Sequence, residues 1–546
     1  MTEMTGGQAL AQSLKLEGIR TIFALPGIQL DWAFDALWEE RAHFQILHPR
    51  HEQATAYMAD GFARTTGGIG TCLVVPGPGL LNASAALSTA YACSSPVLCI
   101  AGQIASDQIG RRRGVLHEVN DQLETIAAVC KHVERASSPQ EIPGVVHRAV
   151  RELRTGRPRP VEIELPPDVL ELVAEVTLAE PEPFARTHAD PDQLERAARL
   201  LGAAERPLIV AGGGVLSGGA WEELRELAEL LEAPVLMTDN GRGALSDRHY
   251  LAHTAAAARE LLPGADVVLA AGTRYMLQGA AAPQGQRFVQ IDIDAEELGR
   301  NRTPDAGVLG DIRHALGELV RLVPRHNRRR ESRVGELAAL KQARAAQLAE
   351  ALVQHDYALA IRAELPDDGI FVNESTQVGY WSRNGFPVYA PRSYLSSGYQ
   401  GTLGYGFATA LGAQVGNPDR AVVSINGDGG FMYNVQELAT MARFRIPVVA
   451  VVFDDRAFGN VRRIQQVRFN DHTIASDLLN PDWMKLADAF GIAGWRATSP
   501  QELRHAVREA IASRAPALIA VPMPDAAALT STFTMQPLPP RPRPAG

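Results

Sequence analysis

Short apolar runs rich in β-branched residues recur along the 546-residue chain, with helix-length stretches between them. In the first third they are TIFAL at 21–25, GTCLVV at 70–75, PVLCIAG at 96–102 and VEIELP at 161–166. Runs of this kind read as strands buried on both faces. Strands that alternate with helices are parallel, because a crossover must carry the chain back to the same end of the sheet. The alternation resumes with PLIVAGGG at 207–214, PVLMT at 234–238, DVVLAAG at 266–272 and RFVQIDID at 287–294. It returns a third time with GIFVNE at 369–374, AVVSING at 421–427, PVVAVVFD at 447–454 and ALIAVPMP at 517–524. The expected fold class is α/β, with three doubly wound parallel-sheet domains.

Two breaks separate the three. Residues 179–193 are rich in Pro and acid without periodicity and read as a linker. Near 325–333 the arginines Arg328, Arg329, Arg330 and Arg333 cluster. A solvated linker is expected there rather than a nucleic-acid patch, since a net charge of -9 gives the chain no basic footprint. The expected domains are 1–178, 194–322 and 350–530, followed by a Pro-rich, PPII-like tail at 531–546. The four cysteines form no C-x-x-C pair, the N-terminus lacks a signal-like pattern, and no apolar run reaches membrane-spanning length. A cytoplasmic protein with no membrane or nucleic-acid partner is expected.

The strongest local pattern lies in the third segment. The run at 421–427 ends in glycine, and Gly427, Gly429 and Gly430 bracket Asp428; a helical stretch comes next, and the next run ends at Asp454 and Asp455. Glycines after a strand allow a tight turn that brings backbone N–H groups to a phosphate at the following helix N-terminus. A βαβ crossover sets the two strands side by side or nearly so. Asp428 and Asp455, 27 positions apart, then meet at the carboxyl edge of the sheet, where open α/β sheets bind ligands. Two carboxylates together with diphosphate oxygens and water suit a hard octahedral cation, above all Mg²⁺.

On these residues the chain resembles the thiamine-diphosphate superfamily of acetolactate synthase, benzoylformate decarboxylase and pyruvate decarboxylase. GDGG followed after 27 positions by an acid or amide is similar to its cofactor motif. PRHEQATAYMADGFARTTG at 49–67 looks like its activating-glutamate helix, and VVPGPGLLNASAALSTAYACSSPVLCIAGQI at 74–104 like the cofactor-facing loop after it. SSGYQGTLGYGFATALGAQ at 396–414 resembles the segment under the thiazolium ring, and IVAGGGVLSGGAW at 209–221 the central domain.

The resemblance implies a pyrimidine-binding domain, a central domain without catalytic residues, and a diphosphate-binding domain. It implies thiamine diphosphate and Mg²⁺ as cofactors, a 2-oxo acid as substrate with an aldehyde or second oxo acid as a further reactant, and a homodimer or homotetramer with sites between subunits. Glu52 is then the catalytic carboxylate that shares a proton with the aminopyrimidine ring. Pro26, Gly27, Asn82, Ser375, Thr376, Gln377 and Gly401 contact the cofactor, and Leu403 lies beneath the thiazolium. Asp428, Asp455 and the backbone carbonyl of Ala457 hold Mg²⁺, with Gly427, Gly429 and Gly430 around the diphosphate. The superfamily usually carries Asn where this chain has Asp455.

The chain departs from acetolactate synthase in three places. The flavin-binding pattern, roughly Arg-Phe-Asp-Asp-Arg, is replaced by Arg274, Tyr275, Met276, Leu277 and Gln278, which argues against FAD; Gly212, Gly213 and Gly214 do not restore it. The Gly-Met-Val-Arg-Gln-Trp run that selects a second oxo acid is here Gly459, Asn460, Val461, Arg462, Arg463 and Ile464. The synthase-like Phe-Gln-Glu is here Leu116, His117 and Glu118, and a histidine at that place can protonate an intermediate or orient an acceptor carbonyl. The expected activity is cleavage or formation of a carbon–carbon bond beside a carbonyl. Two forms stay open, an acetolactate synthase-like carboligase and a non-oxidative decarboxylase of the benzoylformate decarboxylase type. An NAD-dependent oxidoreductase would explain glycine turns after strands but not the spacing from Asp428 to Asp455, and a non-catalytic subunit would not need Glu52.

Overall fold

The computed structural model describes residues 1–184, 186–276 and 283–530; Leu277, Gln278 and the Pro-rich tail lie outside them. The first segment contributes β1 (Thr2–Thr5), β2 (Thr21–Ala24), β3 (Gln45–Leu47), β4 (Gly70–Val74), β5 (Val97–Gly102), β6 (His132–Arg135), β7 (Val161–Leu165) and β8 (Val173–Val176). The second contributes β9 (Pro207–Ala211), β10 (Val235–Met237), β11 (Ala252–Thr254), β12 (Val267–Ala271), β13 (Arg287–Asp292) and β14 (Ala306–Leu309). The third contributes β15 (Ile370–Asn373), β16 (Tyr394–Ser396), β17 (Val422–Gly427), β18 (Val448–Asp454), β19 (Ala493–Arg496) and β20 (Ala517–Pro522).

These strands make three six-stranded parallel sheets, ordered β3-β2-β4-β5-β7-β6, β11-β10-β9-β12-β13-β14 and β16-β15-β17-β18-β20-β19. The α/β class with doubly wound parallel sheets is what the alternating apolar runs demand. Every residue of β4, β5, β9 and β12 is buried, as strands covered on both faces must be. The first and third sheets share one strand permutation, whereas the middle sheet has the dinucleotide-fold order. In each sheet the order reverses beside the first strand, opening a crevice at the carboxyl ends between β2 and β4, between β9 and β12, and between β15 and β17. Beyond the runs named from the sequence, the structure adds an edge strand on each side of every sheet (β3 and β6, β11 and β14, β16 and β19) and a separate two-stranded ribbon in which β1 pairs antiparallel with β8. Both strands are four residues long and half exposed, too short for a period to show.

Five helices position the site residues: α1 (Glu52–Thr66), α2 (Pro78–Cys93), α3 (Tyr405–Gly416), α4 (Asp428–Phe431) and α5 (Gly459–Arg468). Helix α1 starts at His51, whose ring nitrogen accepts from the Gln53 N–H, and stops at Gly67 in the left-handed region. Residues 405–414 of α3 are buried on every side, the pattern of a helix inside a core. The two helices cross at backbone contact. A Cβ on Gly61 would lie 2.0 Å from the Thr409 carbonyl oxygen, and one on Gly412 1.9 Å from that of Met58. One apolar cluster therefore runs from Phe23 and Leu47 through both helices to Val372 and Val452, joining the first and third segments, while the middle sheet keeps its own core. Arg64 ties in the middle segment: its guanidinium donates to the Ser396 carbonyl and the Tyr405 hydroxyl at 2.9 Å and to Asn240 Oδ1 at 3.3 Å.

The arginine cluster is not a freely solvated linker. Arg330 donates to the carbonyls of Leu201, Gly202 and Ala204 at 2.9 to 3.0 Å, closing the end of helix Pro191–Ala203, and Arg328 pairs with Glu205. The last carbonyls of a helix lack internal partners, and a guanidinium supplies several donors at once. Among the described residues no helix is long and apolar enough to cross a membrane.

Because α1 and α3 touch through backbone, Gly412→Ala forces them apart and is expected to cost roughly 1–3 kcal/mol or more. Gly317→Ala is the control: its Cβ would meet nothing nearer than 4.0 Å. Thermal denaturation should show a lowered Tm for the first and an unchanged or raised Tm for the second; equal Tm values would mean that the crossing tolerates a methyl group.

Candidate active site

The crevice between β2 and β4 gathers the residues expected in the first segment. Glu52 opens α1, and Asn82 of α2 donates from Nδ2 to Glu52 Oε2 at 3.0 Å. Oε1 has no hydrogen-bond partner among the described residues. The Val75 side chain fills the floor, where a Cβ on Gly27 would lie 2.3 Å and one on Gly79 2.5 Å from its methyl groups; the latter Cβ would be 3.6 Å from Glu52 Oε1. Pro26 immediately precedes Gly27 in the turn after β2. Gly77, at φ 58, precedes α2, and a Cβ there would lie 2.2 Å from the His117 carbonyl oxygen. His117 has φ 69, and its Nδ1 lies 3.2 Å from Gln29 Oε1. The Gly77 N–H donates to buried Gln122 at 2.8 Å; Gln122 in turn donates to Glu164, an acid inside β7 that also accepts from Arg135 and Gln103.

The crevice between β15 and β17 gathers the second set. Asp428 follows β17 and opens α4, and β18 lies beside β17 in parallel register. Asp455 follows β18 directly. Burial and the neighbouring Asp428 charge push its carboxyl up to about 7. Burial also raises Asp428, to about 6, with the Asp454 carboxylate adding to the rise and Asn480 opposing it. Asp454 is spoken for: it accepts from Asn480 Nδ2 and Trp483 Nε1 at 2.7 Å and from the Arg456 N–H at 3.1 Å. Asn480 Nδ2 also reaches Asp428 Oδ2 at 2.7 Å, so one amide separates two carboxylates. Asp455 makes no hydrogen bond to another side chain among the described residues. Arg456 has φ 53, and the chain then pairs with 476–478 through the Phe458 N–H and the Arg456 carbonyl, a pattern that leaves the Ala457 carbonyl outside the ladder. No group of three or more His, Cys, Asp or Glu side chains among the described residues could hold a metal by itself.

Around this pair lie the other predicted residues. A Cβ on Gly427 would touch Thr376 at 3.5 Å, and one on Gly429 would strike the Phe458 ring at 2.6 Å. Ser375 and Thr376 thus sit against the Asp428 loop. The Thr376 hydroxyl caps helix Gln377–Gly385 by accepting from Gly379 at 2.8 Å, and the Gln377 amide is buried with neither polar atom partnered. Gly401 and Leu403 lie in the loop before α3, tied to α2 by the Thr89 and Thr402 hydroxyls 2.9 Å apart. Glu374, absent from the sequence expectations, accepts from the Gly404 and Gly406 N–H groups at 2.8 and 3.1 Å, and burial pushes its carboxyl up to about 7.

No described hydrogen bond or ion pair joins Glu52 or His117 to Asp428 or Asp455, although the Thr89 and Thr402 hydroxyls and the Arg50 N–H, which donates to Glu437, link the elements around them. A cavity of about 600 Å³ lies elsewhere, at the crevice between β9 and β12 where the three segments meet, lined by Arg64, Gly213, Arg274 and Met276 but by neither Glu52 nor Asp428. It is the place of the altered flavin pattern. Gln29, Asn480 and Glu374 are the site residues that sequence reasoning missed. Gln29 stands two positions after Gly27 and was within reach, whereas Asn480 arrives from a patternless loop.

The chain is similar to known proteins over nearly its whole length. It matches the thiamine pyrophosphate enzyme N-terminal TPP binding domain over residues 4–125, the central domain over 194–319 and the C-terminal TPP binding domain over 374–521. It is 35% identical to the probable acetolactate synthase large subunit of Methanocaldococcus jannaschii, over 96% of this chain and 93% of that protein. It is 33% identical to a probable 2-ketoarginine decarboxylase of Pseudomonas aeruginosa, over 93% of this chain and 91% of that protein.

Among the described residues, Asn480 is the side chain that donates to both Asp428 and Asp454. Asn480→Asp exchanges this donor for a third acceptor and is expected to lower stability at neutral pH by about 1–3 kcal/mol, the usual cost of an unsatisfied buried polar group. Urea denaturation without added metal checks this, and a midpoint equal to the parent's would rule out the bridge.

Proposed function

The chain belongs to the thiamine pyrophosphate enzyme family, and from that premise we propose that it is a thiamine-diphosphate- and Mg²⁺-dependent enzyme that decarboxylates a 2-oxo acid, then ligates or protonates the product. The observation that carries the reading is the content of the two crevices: one holds Glu52, held by Asn82 through one oxygen only, and the other holds Asp428 and Asp455, buried and acting on each other by charge beside glycine turns. The residues present fit the cofactor. Gln377, Asn426 and Asn434 leave buried polar atoms unpartnered at the second crevice. Buried like charges at Asp428 and Asp455 call for a cation, and hard oxygen donors suit Mg²⁺.

When bound, thiamine diphosphate supplies a carbon nucleophile that breaks and makes bonds beside a carbonyl. Glu52 holds and returns a proton at Oε1, while Asn82 fixes Oε2. His117 offers a ring nitrogen to a reacting carbonyl, with Gln29 fixing the other. Asp428, Asp455 and the Ala457 carbonyl hold Mg²⁺, and Leu403 supports the ring. Asp454 keeps the loop in shape rather than binding metal, because both its oxygens are engaged. The flavin-free reading stands on Arg274 and Met276, with no acid at Met276.

An oligomer with sites between subunits is supported by the exposed apolar residues flanking each cluster. Ile28, Leu81 and Leu116 flank the first; Met432, Tyr433 and Val461 flank the second. The carboligase reading rests on the acetolactate synthase large subunits among the relatives, and the decarboxylase reading on His117 and on the probable 2-ketoarginine decarboxylase.

The test is a screen of 2-oxo acids for CO₂ release and product identity, using protein loaded with thiamine diphosphate and Mg²⁺ and free of flavin absorbance. Glu52→Gln should cut turnover by about 10²- to 10⁴-fold. Mixing it with Asp428→Ala subunits should restore activity through hybrid sites. No CO₂ from any 2-oxo acid would refute the activity, and a mixture without recovery would refute the shared site.

Magnesium titration separates the two adjacent acids. Asp455→Ala should raise the Mg²⁺ requirement and Asp455→Asn should stay active, as the family's usual ligand. Asp454→Ala should instead lower Tm, through loss of the Asn480 and Trp483 bonds. A greater Mg²⁺ requirement for Asp454→Ala than for Asp455→Ala would exchange the two roles.

A further inference from the structure

Glu374 lies between the loop that carries Leu403 and the loop that carries Asp428. It follows β15, is 2% exposed, and meets the N-terminus of α3, where the Gly404 and Gly406 N–H groups donate to Oε1 and Oε2. The first N–H groups of a helix have no internal acceptor. Helix α3 has glycine at its N-cap, at φ 81, with no side chain to cap it, so the acceptor comes from another strand. On its other side Oε1 abuts the Asp428 loop, where a Cβ on Gly430 would lie 2.0 Å away. Gly404 is also held from the opposite direction, its carbonyl accepting from Asn434 Nδ2 at 2.7 Å. Both sides of the Gly404 residue are thus fixed immediately after Leu403, and the two anchors, Glu374 and Asn434, border the glycine turn at 427–430.

Resting on the proposed thiamine-diphosphate function, we propose that Glu374 is a positioning residue that locks the Leu403 loop to the Asp428 loop, so that the ring-supporting and diphosphate-holding parts of the site keep one spacing. It acts through the Gly404 and Gly406 amides and needs no contact with the cofactor. An ionised acceptor suits this task better than a neutral one, because each oxygen takes one N–H without a competing donor. Glu374→Gln keeps the shape but turns one acceptor into a donor that faces an N–H.

The experiment is calorimetric titration of the parent and of Glu374→Gln with Mg²⁺ and thiamine diphosphate and, separately, with Mg²⁺ and pyrophosphate, which has the diphosphate without the rings. Affinity for thiamine diphosphate is expected to fall about 10-fold or more, and that for pyrophosphate by less than about threefold, given the usual worth of hydrogen bonds to charged acceptors. Equal losses for both ligands mark a merely structural acid and overturn the proposal, as does an unchanged affinity for thiamine diphosphate. Should the Gln variant not fold, Glu374→Asp, which keeps the charge but withdraws it by one methylene, is titrated with the same two outcomes. A parent that does not bind thiamine diphosphate refutes the functional reading and this proposal together; a parent that binds, with variants that bind equally, refutes this proposal alone.

Discussion

The crossing of α1 and α3 is the constraint on which the rest depends. Gly61 and Gly412 let each helix press against the other's carbonyls, so the distance between them is set by backbone rather than by compressible side chains. Helix α1 begins with Glu52 and carries Arg64 in its last turn; helix α3 begins at the Leu403 loop. Their contact fuses the apolar faces of two sheets into one core and fixes the two crevices against each other. Arg64, at the far end of α1, extends the same rigid connection to the middle segment through Asn240.

The frame and the placing of Asp428 and Asp455 at neighbouring strand ends were legible because both are local. A buried parallel strand needs a run of apolar residues, and a βαβ unit needs a crossover of fixed minimum length, so the 27-position interval from Asp428 to Asp455 reports adjacent strand ends. What stayed hidden depends on chain segments far apart in sequence. Asn480 lies 52 positions after Asp428, and Glu374 meets Gly404 30 positions away. No period or motif encodes such meetings. The docking of Arg330 onto Leu201 and Gly202 was invisible for the same reason, and composition alone left that stretch looking like a solvated linker.

The adjacent pair Asp454 and Asp455 shows how the fold resolves what spacing leaves ambiguous. Successive residues at a strand end point to opposite faces. Asp454 turns to Asn480 and Trp483 and becomes part of the wall. Asp455 is left without a side-chain hydrogen bond among the described residues, and burial together with the Asp428 charge pushes its carboxyl up. The two residues are chemically identical, and only their partners distinguish them.

The shared permutation of the first and third sheets puts two crevices of the same shape to opposite uses. In the third, the turn after the central strand is glycine-rich and ends in a carboxylate, so N–H groups and negative charge sit together, a setting for a phosphate held through a cation. In the first, the corresponding turn reads Pro76, Gly77, Pro78: proline removes the N–H groups that would bind an anion, and the one left, on Gly77, is consumed by Gln122. That turn offers a phosphate no uncommitted N–H, and Glu52, one oxygen of which is committed to Asn82, stands at the same crevice. A ligand that spans both uses must carry an anionic end and a basic ring end.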